Sequence, residues 1–115
     1  MKKLKKVSVF QPIRGKTEKD IVKEREVAVE QAKKKVKEVL GYDDVEIIDS
    51  FIVQAALEHT DSHTLLWYLS QAIAKLSEAD VAYFADGWEH DRECRVEHFV
   101  AKEFGIQILY GDCYE

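Results

Sequence analysis

Leu4-Lys5-Lys6-Val7-Ser8-Val9-Phe10-Gln11-Pro12-Ile13-Arg14-Gly15-Lys16-Thr17 places a strand, a turn and a helix start in immediate succession. Leu4 to Phe10 carries Val7, Val9 and Phe10, residues whose branched or aromatic side chains suit a pleated, buried strand. Pro12 cannot donate to a ladder, and Gly15 allows a tight turn, so the strand stops here. Thr17, with Asp20 three residues on, resembles a capping box and opens a helix.

That helix is expected to run to about Leu40. Ile21, Ala28, Ala32, Val36 and Val39 recur on one side, while Lys23, Glu26, Glu30, Lys33, Lys34 and Lys37 cover the solvated other. Gly41 is its expected C-cap. Val45 to Ile48 reads as a second strand, followed by Asp49-Ser50. Phe51 to Ser62 is less regular and reads as a loop with a short helix. Thr64 to Ser77 has the helical stripe Leu65, Leu66, Leu69, Ile73 and Leu76. Asp80 to Phe84 is a third strand, turned by Asp86-Gly87-Trp88. Asp91 to Phe104 is a helix closed by Gly105, and Ile106 to Leu109 is the last strand. Strands separated by helices imply βαβ units and a parallel sheet covered on both faces.

The 115 residues suit one domain spanning 1–115. A chain of this size buries roughly 65% of its unfolded surface, enough to fold without staples. With 46% apolar and 34% charged residues it has the balance of a globular protein, and its formal charge of −5 gives no electrostatic reason to expect a nucleic acid polymer as partner. Lys2-Lys3-Leu4-Lys5-Lys6 lacks the apolar run of a signal peptide, and no segment approaches the ~20 apolar residues of a membrane span. Cys94 and Cys113 are spaced for neither zinc nor a redox pair. A cytoplasmic protein with two reduced thiols is therefore expected.

In open α/β sheets ligands bind beyond the carboxyl ends of the strands, at the point where strand order reverses. That edge gathers Gln11 to Lys16, Asp49-Ser50, Asp86 to Trp88 and the start of the last helix. Arg14 and Gly15 before a helix N-terminus suit an anion, or are simply a tight turn with a surface Arg. Trp88 suits stacking on a base, or core packing. In the last helix, Val100 and Phe104 form an expected inward stripe, and stepping back three residues reaches Glu97. An inward carboxylate must be paired or face a ligand, because burying a lone charge is costly. Arg14, Arg92 and Arg95 are the available ion-pair partners. His59 and His63 lie four apart, but no third ligand accompanies them, so no metal site is read.

Three stretches taken in order carry a family resemblance: Phe10-Gln11-Pro12-Ile13-Arg14-Gly15-Lys16-Thr17, Leu76-Ser77-Glu78-Ala79-Asp80-Val81, and Gly87-Trp88 leading to Cys94-Arg95-Val96-Glu97-His98 and Ala101. Over nearly the whole chain, their order and spacing resemble the nucleoside 2-deoxyribosyltransferase-like superfamily. The closest likeness is to its small uncharacterised bacterial and phage members. The resemblance implies a flavodoxin-like three-layer sandwich with a short, four- to five-stranded parallel sheet. It implies cleavage or transfer of the N-glycosidic bond of nucleosides or nucleotides, without metal or organic cofactor, in a homo-oligomer that completes its pockets between subunits.

By the same resemblance Glu97, with the small Ala101 four residues later, is the nucleophile. Gln11, Pro12, Ile13, Arg14 and Gly15 line the sugar or phosphate pocket. Asp49, Asp86, Gly87, Trp88 and Arg92 are further candidate substrate-binding residues. Two positions depart from the pattern. Ala72 stands where the family's transferases carry an Asp that handles the leaving base, and Glu93 stands where relatives often have Gly. A carboxylate one turn before Glu97 would raise its pKa. These departures favour the alternative, a non-catalytic nucleotide or nucleotide-sugar binding protein of the same fold.

Overall fold

The computed structural model describes residues 5–12, 15–48 and 62–111. The elements run β1 (Lys5–Phe10), α1 (Glu18–Lys35), β2 (Val45–Ile47), α2 (Ser62–Leu76), β3 (Val81–Phe84), α3 (Arg92–Glu103) and β4 (Gln107–Tyr110). All strand pairs are parallel, in the order β2-β1-β3-β4, which is the flavodoxin-like order with four strands. Val7 lies opposite Val81 and Phe10 opposite Phe84, while Phe84 lies opposite Tyr110.

Alternation along the central strands divides the core into two layers. Val7, Val9, Val81, Tyr83 and Leu109 pack with Ala28, Ala32 and Val36 on the α1 side. Phe10, Ala82 and Phe84 pack with Leu76 of α2 and with Trp88, Cys94 and Ala101 on the α3 side. The sheet is thus covered on both faces, and every residue of β3 is buried, as a central parallel strand requires. Tyr83 is fully buried; its hydroxyl donates to Gln31 Oε1 at 3.1 Å, so the polar end of a core ring is satisfied from α1.

Local signals place the helix ends. The Thr17 side chain accepts from the Asp20 N–H at 3.2 Å, and the Asp91 carboxylate accepts from the Cys94 N–H at 3.1 Å. Gly41 closes the first helix in the left-handed region at φ 77°. Asp80 has a structural task at the amino edge. Its backbone N–H donates to the Lys6 carbonyl at 2.8 Å, and its carboxylate accepts from the Lys6 N–H at 2.9 Å, fixing the start of the β1–β3 pairing.

Three expected apolar stripes shift. Beyond Lys35 the helix widens into a π turn over Val36–Leu40; the extra residue per turn rotates Val39 outward, to 57% exposure, while Val36 stays buried. In α2 the inward residues are Leu65, Ala72 and Leu76, and Leu66 lies at the flank, 64% exposed. In α3 the buried stripe is Cys94, Glu97 and Ala101; Val100 packs partly buried against the same core cluster, and Phe104 does not. Phe104 is the C-cap residue, already off helical geometry at φ −99° and ψ 10°, and is 79% exposed. The last strand runs one residue further than expected, ending at Tyr110.

Candidate functional site

The chain leaves β1 toward α1 on one face and β3 toward α3 on the other, so the strand order reverses between β1 and β3. At their carboxyl ends the two following segments touch. The Ala85 N–H donates to the Phe10 carbonyl at 2.8 Å. Gly87 adopts φ 88°, and a Cβ built on it would lie 3.5 Å from Pro12 Cγ. One step further, the Gly111 N–H donates to the Phe84 carbonyl at 2.9 Å. A Cβ on Gly111 would overlap the Asp86 carboxylate and come within 2.9 Å of the Asp86 backbone nitrogen, so the segment after β4 lies directly against Asp86.

Pro12, Gly87, Asp86 and the Trp88 turn therefore gather at the switch point. Gln11 is buried beside them, with its Nε2 donating to the Ile21 carbonyl at 3.0 Å. This bond ties the segment after β1 to the first turn of α1 and leaves Oε1 buried without a hydrogen-bond partner among the described residues. Gly15 sits at φ 75° ahead of α1. Ile13, Arg14 and Asp49 lie outside the described residues, as do Phe51 to Asp61, His59 and Cys113.

Trp88 is buried and forms part of an aromatic cluster. Its ring stacks on His98 with centroids 4.1 Å apart and on Tyr110 at 5.7 Å, while Phe84 packs against it at 5.5 Å. The His98 Nε2 and the Tyr110 hydroxyl are 2.7 Å apart. Burial, with Lys102 nearby, holds the His98 pKa below its usual value. The pairing of His98 and Tyr110 was not legible in sequence: the two residues meet only because β4 lies beside β3 and α3 crosses above both.

Glu97 is 7% exposed, on the inner face of α3 between Cys94 and Ala101. Arg92 pairs with Glu93, Nη2 to Oε1 at 2.9 Å, and the Arg95 guanidinium donates to the Glu89 carbonyl at 3.2 Å. Neither reaches Glu97, and among the described residues no hydrogen bond or ion pair engages its carboxylate. Burial chiefly, then the neighbouring carboxylates of Asp91 and Glu93, raise its pKa well above the ordinary value. Glu93 thus acts in the direction its position implied, and the buried N-cap Asp91, absent from the sequence-based set, acts more strongly.

The same surroundings push the buried Cys94 thiol far up, which makes it inert. Ala72 is buried in α2 and brings no proton donor to the core. An open, mostly apolar groove of about 240 Å³ runs between α2 and α3, lined by Leu65, Leu66, Leu69, Val96 and the Arg92–Glu93 pair. Among the described residues no group of three or more His, Cys, Asp and Glu is arranged to hold a metal ion, and no helix is long and apolar enough to cross a membrane. Comparison with protein-family models, curated proteins and solved structures returns no match.

Proposed function

We propose that this chain cleaves or transfers the N-glycosidic bond of nucleosides or nucleotides, with Glu97 as nucleophile. The observation that carries the reading is Glu97 itself. It is a buried carboxylate on the inner face of the helix that leaves the switch point, with no partner among the described residues. A side chain kept there at the cost of desolvation, with no structural bond among the described residues to account for it, is expected to have a ligand. The resemblance of the three sequence stretches to nucleoside 2-deoxyribosyltransferase-like proteins supplies the reaction class. Glu97 attacks the anomeric carbon, the base departs, and water or a second base resolves the glycosyl ester. Gln11 to Gly15, Asp49, Asp86 to Trp88 and Arg92 are the proposed substrate contacts. The cytoplasm is the proposed location, and no metal or organic cofactor is invoked.

The test is incubation of the purified chain with a panel of nucleosides and nucleotides, read by chromatography for free base. Release that Glu97→Gln abolishes supports the reading. A second reading, a non-catalytic nucleotide binder, is favoured by Ala72, which stands where the resemblance implies an acid for the leaving base. Binding of a nucleotide by calorimetry, with no base release from any compound, would establish that alternative. A homo-oligomer is also proposed, since Leu66, Trp67, Phe99 and Phe104 leave large apolar surface on α2 and α3 exposed. A monomeric mass by light scattering at micromolar concentration would reject it.

A further inference from the structure

Three parts of the fold meet at His98. Its ring stacks on Trp88 with centroids 4.1 Å apart and 24° between the planes. Its Nε2 lies 2.7 Å from the Tyr110 hydroxyl, and the Phe84 ring stands edge-on to it at 5.1 Å. One half-buried side chain of α3 thereby joins the end of β3, the end of β4 and the turn between β3 and α3. That turn is short: the Trp88 N–H donates to the Ala85 carbonyl at 3.2 Å, and the His90 N–H to the Gly87 carbonyl at 3.0 Å. Gly111, next after Tyr110, lies directly against Asp86, so both arms of the joint reach the same turn.

Such a joint depends on the charge of the imidazole. In the neutral form Nε2 accepts the Tyr110 O–H, and an uncharged flat ring fills the space beside Phe84 and Trp88. A proton on Nε2 makes it a donor, so the Tyr110 hydroxyl must turn its own proton away, and a charge is placed among aromatic rings. The surroundings do not welcome that charge. Lys102, one turn further along α3, is a second cation. Glu97, beside His98 in sequence, is buried, and burial disfavours its charge. The facing elements bring the Phe84 and Trp88 rings and the Tyr110 hydroxyl. Burial chiefly, then Lys102, hold His98 below its ordinary pKa. Since the ring is only half-buried, solvent protons reach it without unfolding of the sheet.

We infer that His98 is a proton-operated latch on the Asp86–Trp88 turn: neutral, it pins the turn to α3 and β4; protonated, it releases the turn at the strand-order switch while the sheet persists. The latch acts on this turn whatever ligand the carboxyl edge takes, so it stands apart from the N-glycosidase reading. Its sign follows from proton counting. The folded chain takes up the proton less readily than the unfolded one. The joint is therefore intact above the ordinary imidazole pKa of 6.5 and weakens as pH falls through the lower folded value.

Trp67→Phe leaves Trp88 as the single indole, and its emission reports the joint. Emission and amide hydrogen exchange of this protein are followed from about pH 8 to about pH 5, with exchange corrected for the intrinsic effect of pH. Trp88 emission should change with a midpoint below 6.5. Below that midpoint the amides of Gly87 to His90 should lose protection several-fold, while those of β1 and β3 keep theirs. His98→Gln, and His98→Phe as a variant that keeps a flat ring, should abolish both responses. Tyr110→Phe should raise the midpoint by about half a pH unit or more, because the neutral ring loses its donor. A midpoint at or above 6.5 in the protein with His98 and Tyr110 intact would overturn the latch, since the indole face would then be stabilising the imidazolium. So would a midpoint that Tyr110→Phe leaves unchanged or lowers, a response that survives in both His98 variants, exchange that quickens equally across the sheet, or no response at all.

Discussion

Replacing Glu97 by Gln separates a functional carboxylate from a structural one through stability alone, before any substrate is known. Gln is nearly isosteric, so packing between Cys94 and Ala101 is retained and only the charge is removed. In the folded chain the Glu97 pKa is raised above 4.5 by burial and by the charges of Asp91 and Glu93. The sign follows from proton counting. Between the unfolded and folded pKa the native state holds one more proton than the unfolded state, so stability falls as pH rises. The slope is about 1.4 kcal/mol per pH unit, and it ends once the folded pKa is passed. Glu97→Gln lacks that slope. Its stability relative to wild type should therefore rise with pH above 4.5, on the order of 1 kcal/mol per pH unit or a few degrees in melting temperature, and level off once the folded-state pKa is passed. Urea denaturation of both proteins at pH 5, 6, 7 and 8 measures the difference directly. If Glu97 were an ion-paired core residue, Gln would instead strand a buried cation and cost roughly 3–5 kcal/mol. A mutant less stable than wild type by that amount, at every pH, would refute the description of Glu97 as uncompensated.

Three other outcomes are expected. Tyr83→Phe removes the donor to Gln31 and should cost roughly 0.5–1.5 kcal/mol by urea denaturation, without altering any base release. Gly111→Ala should destabilise by roughly 1–3 kcal/mol, because the new Cβ meets both the carboxylate and the backbone of Asp86; melting temperature reports it, and an unchanged value would mean the two segments are not in contact. Cys94, buried and held in its thiol form, should resist a maleimide reagent in the folded protein and react after denaturation, and intact mass without reductant should show no disulfide.

Much of the architecture was legible in order along the chain, because its signals are local. The run of Val7, Val9 and Phe10, the cap Thr17, and Gly41 at the end of its helix each act within one turn or one strand. Alternating strands and helices then leave little choice but a parallel sheet with helices on both faces. Helical phase also placed Glu97 inward, although Phe104 was the wrong reference and Val100 only flanks the buried stripe; Cys94 and Ala101 mark the centre of that face. The π turn at Val36–Leu40 and the exposure of Val39 escaped, since periodicity assumes a constant turn.

Tertiary structure alone decided what surrounds the site. The meeting of Pro12 with Gly87, of Asp86 with Gly111, and of Trp88 with His98 and Tyr110 depends on which strands are neighbours and in what register. Residue types along the chain carry no such distances. The state of Glu97 is the clearest case. Its sequence neighbours offered Arg92 and Arg95 as partners, yet folding engages one with Glu93 and the other with the Glu89 carbonyl. It also buries Asp91 one turn and a half away. Whether a buried carboxylate is satisfied depends on the groups that the rest of the fold brings to it, and helical phase reports only the direction in which it points.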